Sequence, residues 1–413
     1  MAELKRALGF WTILSLAIAS IMGTGLFFGA AIGSGYSGNA SILAWLAISV
    51  IAVLISMYFA ELSSMYPKAG GIYEFSKHAY SRFFSFIMGW IAWLLGNLTT
   101  ALLVVAAIDY LIPDPSKFWL KISISIIFII ALNFIAFFGI EASAFLLVVF
   151  ALVSASVLLS IILPGIFQLN FSNYSPFFSL GLPSIFVTIF FIAESFFGWE
   201  SATYLAEETK EPEKTIPKAI VIGTIIVGVL GIFTAIVALG IIPWKELAAS
   251  SAPLAVVADK MLGSFGTSII NIGIFIALIG SAAGGIITMP RLILALARDK
   301  LFIAQLSEVH EKFQTPYKAI MFQAVVSLLV FGMAFGKYKA LLSLLLPLGF
   351  VMYFFIVLSV PILRGKEPSM QRGFKVPFAK LTSALLMIFI ASLIFAWASS
   401  DAAAFKTLKL GFS

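Results

Sequence analysis

The chain contains long stretches without a single charged residue. One covers the 50 positions of 11–60, and a second covers the 52 positions of 142–193. Of the 413 residues 61% are apolar and only 11% are charged, whereas a water-soluble protein keeps about a quarter of its residues charged. A chain of this composition is solvated largely by lipid. The composition excludes soluble enzymes and soluble nucleic-acid-binding proteins, so the formal net charge of +7 does not indicate a nucleic-acid partner.

The charge-free stretches predict eleven membrane-spanning helices. A helix that crosses the hydrocarbon core needs about 20 apolar residues. The first stretch is long enough for two helices and is divided by the turn-forming segment 33–39, and the second is divided at 168–184. Seven further stretches predict one helix each: 83–108, 122–140, 219–244, 261–290, 319–336, 340–363 and 381–400. We therefore expect an all-α polytopic membrane protein that forms a single transmembrane domain over residues 1–413.

The distribution of Lys and Arg predicts the orientation of the chain. Basic residues accumulate in the cytoplasmic loops of membrane proteins. With the N-terminus inside, 18 of the 26 Lys and Arg residues fall in cytoplasmic segments, and the opposite orientation reverses this count. We expect a multi-pass protein of the cell membrane with a cytoplasmic N-terminus.

Two predicted spans are interrupted in their middles. Span 1 contains IMGTGLF at 21–27, and span 6 contains ESFFGWE at 194–200. Glycines in membrane helices serve either close helix packing or the exposure of backbone to a ligand, and the sequence leaves both explanations open. Each interrupted span is the first of a group of five predicted spans. Since five is an odd number, the second group enters the membrane in the opposite direction, and the pattern indicates an inverted-repeat transporter. We expect repeats at approximately 10–167 and 180–364 and an additional helix at 379–398.

Broken helices offer a specific binding chemistry. A half-helix presents free N–H groups and a positive dipole end at its N-terminus, and free carbonyl groups at its C-terminus. The amides that follow Gly23 suit a carboxylate, and the carbonyls near Ile21 and near Phe197, beside Gly198, suit an ammonium group. The two breaks together predict a site for a zwitterion.

Three polar residues inside the predicted spans need an explanation. A carboxylate at the centre of a membrane helix costs about 2.5 to 3.5 kcal/mol on insertion scales. Glu194 either lines a substrate pocket or lies in a water-filled vestibule. Glu200 is either a protonatable coupling group or a structural carboxylate bonded to freed N–H groups beside the break. Asn97 contacts either the substrate or a neighbouring helix.

Three other segments carry a specific resemblance. They are ELSSMYPKAGGIY at 61–73, GWESA at 198–202 followed by AEETKEPEKTIPKAI at 206–220, and PR with ARD at 290–291 and 297–299. These segments resemble the hallmark sequences of the APC superfamily of amino acid, polyamine and organocation transporters. The matching segments reach from span 1 to span 8, and the last third of the chain matches in hydropathy alone.

The resemblance implies a LeuT-type five-plus-five inverted repeat with broken helices 1 and 6, and transport by alternating access. In the amino acid carriers of this superfamily the span 1 glycine motif binds the substrate carboxylate. The resemblance therefore implies that Thr24 and Gly25 donate to the carboxylate. It also implies that the carbonyls of Ile21, Glu194 and Phe197 accept from the α-amine.

The sequence matches or departs from particular members of the superfamily at four positions. An asparagine that contacts substrate in the arginine and polyamine exchangers corresponds to Asn97. A tryptophan that stacks on substrate in the arginine exchangers corresponds to Gly285, and the usual aromatic gate four residues before Gly198 is Glu194. A lysine that replaces a sodium ion in some proton-coupled relatives corresponds to Ser154, whose hydroxyl is itself a possible sodium ligand.

We therefore expect a secondary active transporter of amino acids, proton-linked through Glu200 rather than sodium-linked through Ser154, with a preference for neutral substrates. A basic amino acid or polyamine exchanger is the alternative, and an amino acid sensor that does not transport is an alternative of another class. With no cysteine and both histidines in predicted loops, we expect no enzyme activity, cofactor or metal site. The expected partners are the amino acid, the coupling proton and the lipid bilayer, without nucleic acid.

Overall fold

A computed structural model describes residues 4–112, 114–335 and 338–400, and over these residues the protein is built from α-helices, short 3-10 turns and connecting loops. The first half contains α1 (Phe10–Ile21), α2 (Thr24–Ser37), α3 (Ser41–Met65), α4 (Ile72–Ala79), α5 (Arg82–Leu111), α6 (Phe118–Phe137) and α7 (Ile140–Gly165). The second half contains α8 (Pro183–Ile192), α9 (Trp199–Tyr204), α10 (Pro212–Ile241), α11 (Trp244–Ala249), α12 (Pro253–Arg298), α13 (Tyr317–Ala334) and α14 (Tyr338–Lys366), and α15 (Ala379–Ser400) follows.

Nine segments of the described chain are long and apolar enough to cross a membrane. The first, Phe10–Met65, includes α1, α2 and α3 and is divided by a 3-10 turn at Gly38–Ala40, so it corresponds to the two spans expected there. The helix that corresponds to span 9 is apolar but shorter, over Tyr317–Met333. The prediction of an all-α polytopic membrane protein is confirmed.

Both predicted helix interruptions are present. In span 1, α1 ends at Ile21, Met22 has non-helical backbone angles (φ −72°, ψ 62°), and α2 begins at Thr24. In span 6, α8 gives way to a 3-10 turn at Ala193–Phe196, and Gly198 (φ +127°) precedes α9. A glycine adopts this left-handed conformation without the steric cost that a Cβ brings. The broken helices are therefore a local consequence of the sequence.

The interrupted helices lie in the centre of the bundle. α1 packs against α7, α10 and α12, and the residues 21–27 around its break are all buried. α12 changes direction at Gly263 (φ +70°), and its long second part packs against α5 and α7. Any polar group at the breaks is therefore enclosed by protein rather than by lipid.

The three segments with superfamily-like sequence meet at one end of the bundle. The hydroxyl of Tyr73 donates to Asp299 Oδ2 at 2.6 Å, which joins the first segment to the third. Glu207, in the second segment, accepts from Arg298 at 2.8 Å and from the backbone N–H of Ala69 at 3.2 Å. Residues that are far apart in the sequence thus build one charged surface at the end that we predict to be cytoplasmic.

Candidate substrate site at the paired helix breaks

The two helix breaks contact each other directly. A Cβ atom at Gly198 would collide with the backbone carbonyl oxygen of Ser20, and one at Gly25 would lie 2.7 Å from the backbone nitrogen of Ser195. A Cβ at Gly23 would lie 2.9 Å from Glu194 Oε1. The distances at Gly25 and Gly198 are shorter than packed backbone atoms tolerate, so glycine is required there for the two backbones to approach. The structure brings four predicted residues together at one place, Gly23, Gly25, Glu194 and Gly198.

The carboxylate of Glu194 lies at the N-terminus of α2. Its Oε2 atom accepts hydrogen bonds from Thr24 Oγ1 at 2.8 Å and from Gly25 N at 2.7 Å. The N-cap residue Gly23 has no side chain to bond the first amides of α2, so a carboxylate from the other break supplies the acceptor. The positive end of the α2 dipole favours the negative charge. The predicted carboxylate position is therefore occupied by a carboxylate of the chain itself.

The carbonyls at the end of α1 are also bonded within the protein. Ile21 O accepts from Gly23 N at 2.7 Å. Ser281, on α12, directs its hydroxyl at Ala19 O and Met22 O, at 2.6 and 2.7 Å, and shares its one proton between them. Sequence reasoning missed Ser281, although a serine in the middle of an apolar span is a residue type that bonds neighbouring helices.

The region around Phe197 is aromatic. Its backbone N–H donates to Glu194 O at 3.0 Å, which closes the turn before Gly198. Its ring packs against Phe350 and Tyr353, with centroids 5.9 and 5.0 Å away. Side chains of α14 thus form one wall of the span 6 break.

Glu200 lies in the first turn of α9 and is 5% exposed. Tyr353, which sequence reasoning did not identify, donates its hydroxyl to Glu200 Oε2 at 3.2 Å. Backbone N–H groups of Gly198 and Glu200 also interact with the carboxylate. Tyr204, another buried neighbour of this carboxylate, has a hydroxyl without a hydrogen-bond partner in the described part of the chain.

The remaining predicted site residues lie in contacts between or within helices. Asn97 donates to Trp93 O at 2.8 Å and accepts from Gln323 Nε2 at 2.7 Å, which links α5 to α13. A Cβ at Gly285 would lie 2.6 Å from Thr100 Oγ1, so this glycine permits α12 to approach α5. Ser154 donates to Phe150 O of its own helix at 2.8 Å. These contacts give each residue a structural role, and their predicted roles in binding or coupling stay predictions.

Two buried hydroxyl groups lie beside the breaks. Within the described residues, Ser20 Oγ on α1 and Ser195 Oγ in the span 6 turn have no hydrogen-bond partner. A buried polar group without a partner is costly, and such groups are uncommon in native proteins. The breaks therefore contain hydrogen-bonding capacity that a polar substrate could use.

Comparison with known proteins identifies the family. A profile of the family described as amino acid permease matches residues 8–405. The branched-chain amino acid permease BcaP of Bacillus subtilis (strain 168) is 24% identical over 95% of this chain and 88% of its own length. The serine/threonine exchanger SteT of the same organism is 27% identical over 91% of this chain and 87% of its own length. The human cystine/glutamate transporter is 27% identical over 91% of this chain and 77% of its own length.

These relatives are membrane transporters and not enzymes. The match covers the broken helices and the charged end of the bundle. It also covers the last spans, which resembled the superfamily in hydropathy alone. The resemblance found in the sequence is thus confirmed, and the chain belongs to the amino acid permease family.

Proposed function

We propose that the chain is a secondary active transporter that moves amino acids across the cell membrane by alternating access. One observation carries the proposal: the N-terminus of α2 binds a carboxylate inside the bundle, through Thr24 Oγ1 and Gly25 N. A substrate carboxylate requires the same interaction. The relatives named for branched-chain amino acids and for serine and threonine support this class of substrate.

We further propose that residues 10–167 and 180–364 are inverted repeats, with an additional helix at 379–398 and a cytoplasmic N-terminus. The order of the elements supports the repeat. Each half has an interrupted helix (α1 and α2, or α8 and α9), a long helix (α3 or α10), a short helix (α4 or α11) and three longer helices. Since each half has five spans, the second half enters the membrane in the opposite direction.

Proton coupling through Glu200 is the mechanism that we propose. Glu200 is buried beside the moving break and its hydrogen-bonding neighbour Tyr353 belongs to another helix, so opening the site changes the surroundings of the carboxylate. A carboxylate that alternates between dry and wet surroundings alternates in proton affinity, which links a proton gradient to the conformational cycle. Sodium binding near Ser154 is the alternative.

We propose neutral amino acids as substrates. Within the described residues, the groups that bond the Glu194 carboxylate are Thr24 and Gly25, so it is not directed at a substrate side chain. The aromatic wall at Phe197 and Phe350 suits an apolar side chain. A carrier of basic amino acids or polyamines is the second candidate, and the burial of Glu194 favours it because a cationic substrate would neutralise that carboxylate.

Flux measurements in proteoliposomes test these proposals. A panel of labelled amino acids is supplied under an imposed pH gradient or sodium gradient, with wild type, Glu200→Gln and the exposed control Glu141→Gln, whose partner is Lys5. We expect pH-driven uptake that is lost in Glu200→Gln and retained in the control. Sodium-driven accumulation after collapse of the pH gradient would contradict proton coupling. Binding without flux of any substrate would indicate a sensor.

A further inference from the structure

We infer that Glu194 is an internal ligand of the carboxylate site, and that an amino acid binds by displacing the Glu194 carboxylate from the N-terminus of α2. The inference rests on the proposed transport of amino acids and adds a competitor that belongs to the chain itself. It makes Glu194 the residue that sets the affinity for substrates with a carboxylate.

The hydrogen-bond donors of the site are already engaged. Thr24 Oγ1 and Gly25 N have one hydrogen each, and both donate to Glu194 Oε2. Thr24 and Glu194 are only 1% and 2% exposed. A second carboxylate would meet a like charge in a medium of low dielectric constant, and it would find no free donor at these two positions. The two carboxylates therefore exchange and do not share the site.

The Glu194 side chain fills the space that the glycine motif keeps open. A Cβ at Gly23 would lie 2.9 Å from Glu194 Oε1. A Cβ at Gly25 would lie 2.8 Å from the Cα of the adjacent Ser195. The carboxyl group thus rests directly against the backbone of the motif, at the place where an incoming carboxylate would have to lie.

The exchange is tied to movement of the broken helices. The two donors belong to α2, whereas Glu194 belongs to the 3-10 turn at Ala193–Phe196, which ends at Gly198. Separation of the two breaks therefore withdraws the Glu194 carboxylate from α2 without any change within α2. The hydroxyl of Ser195, which lies in the same turn and has no partner among the described residues, is then available to the group that enters.

The competition has a consequence for selectivity. An amine that lacks a carboxylate does not require Thr24 Oγ1 and Gly25 N, so it binds without displacing Glu194. An amino acid binds only the fraction of molecules in which Glu194 has left the site, which lowers its apparent affinity by that fraction. Removal of the Glu194 carboxylate should therefore improve the binding of amino acids and not that of the corresponding amines.

The first experiment replaces the internal carboxylate with a free one. Glu194→Ala removes one methylene and the carboxylate from the side chain. Acetate has the size and charge of the removed group and can therefore take its place. We expect that acetate raises the melting temperature of detergent-purified Glu194→Ala in a concentration-dependent way, because it binds the folded state alone. Acetamide and sodium chloride at equal concentration should have no such effect. Wild type, whose own carboxylate occupies the site, should not respond to acetate, and Glu194→Gln, whose amide competes less well, should respond less than Glu194→Ala.

An acetate-specific rise that is largest in Glu194→Ala and absent in wild type supports the inference. The absence of a rise in that variant, or an equal rise in wild type, would overturn it. This measurement needs no knowledge of the transported substrate, so its result is separate from the success or failure of the proposed amino acid transport.

The second experiment measures affinity and uses Glu194→Gln, which preserves the shape of the side chain. It tests the inference even if the alanine variant does not fold. We expect this variant to bind the transported amino acid roughly tenfold more tightly than wild type, because a neutral amide competes less well for the positive end of α2. The affinity for the decarboxylated amine should not increase. Weaker or unchanged binding of the amino acid would show that Glu194 is a substrate contact or a fixed cap, and would overturn the inference.

Discussion

Arg291 and Glu208 form a bidentate ion pair in which neither side chain is exposed to solvent. Arg291 Nε donates to Glu208 Oε2 at 2.9 Å, and Nη2 donates to Oε1 at 2.8 Å. The third nitrogen donates to Ile287 O of the same helix at 2.6 Å. The backbone carbonyl of Glu208 accepts from the N–H groups of Ala7 and Leu8. This single pair therefore ties α12 to the turn after α9 and to the N-terminal segment.

Removal of one member of this pair should strongly destabilise the protein. Arg291→Met leaves Glu208 as a buried charge without its partner, which typically costs about 3–5 kcal/mol. The melting temperature in detergent should fall markedly, and the double variant Arg291→Met with Glu208→Met should recover part of the loss because no lone charge remains. Lys214→Ala, which removes an exposed ion pair with Glu211, is the control and should change little. A similar fall in Arg291→Met and in the control would contradict this prediction.

Gly25→Ala should abolish binding of the amino acid. A Cβ at this position would enter the space beside Gly25 N, where the carboxylate binds, and it would also collide with Ser195 Oγ and lie 2.7 Å from Ser195 N. Overpacking of this kind costs about 1–3 kcal/mol, so the melting temperature should also fall. Gly332→Ala is the matched control, since a Cβ there meets nothing within 4 Å. Ligand-induced thermal stabilisation that persists in Gly25→Ala at the wild-type affinity would argue against the site.

Ser281→Ala should loosen the break in span 1. The variant removes the hydroxyl shared by Ala19 O and Met22 O and leaves these buried carbonyls without that donor, at a cost of about 1–3 kcal/mol. Ser268→Ala is the control on the same helix, because Ser268 is exposed and its hydroxyl bonds Ser264 O of its own helix. Thermal unfolding and hydrogen exchange at residues 19–25 measure the effect. Equal stability and equal exchange in the two variants would show that Ser281 does not hold the break.

Stability should depend on the ionisation of Glu74, which lies outside the spans on α4. Burial by itself would raise the pKa of Glu74, but the hydrogen bond with His78 and the charges of Lys77, His78 and Lys68 outweigh burial and lower that pKa below its ordinary value of 4.5. The stabilisation is therefore complete above pH 4.5 and is lost as the pH falls through the lowered pKa of the folded state. Glu74→Gln should flatten this acid limb of the melting temperature. An unchanged acid limb in Glu74→Gln would assign the pH dependence to other carboxylates.

The sequence determined the spans and their interruptions because these depend on local composition. In lipid, every backbone polar group must be bonded within its own helix, so an apolar run of sufficient length becomes a spanning helix. The same rule makes the glycines at 23 and 198 visible as breaks, since an extended backbone at Gly23 and a left-handed backbone at Gly198 stop the helix. The polar residues within the spans were also identifiable as groups that need a partner.

Only the tertiary structure decided which partners these groups have. Gly25 N and the Glu194 carboxylate are 169 positions apart, and Ser281 Oγ lies 259 positions from Met22 O. Such contacts depend on the rotation and depth at which each helix packs, and these follow from the shapes of many side chains at once. Sequence periodicity shows that a carboxylate is buried, but it does not show whether that carboxylate meets a cation, a helix N-terminus or a substrate. For Glu194, the packing of the two breaks against each other places the carboxylate at the N-terminus of α2.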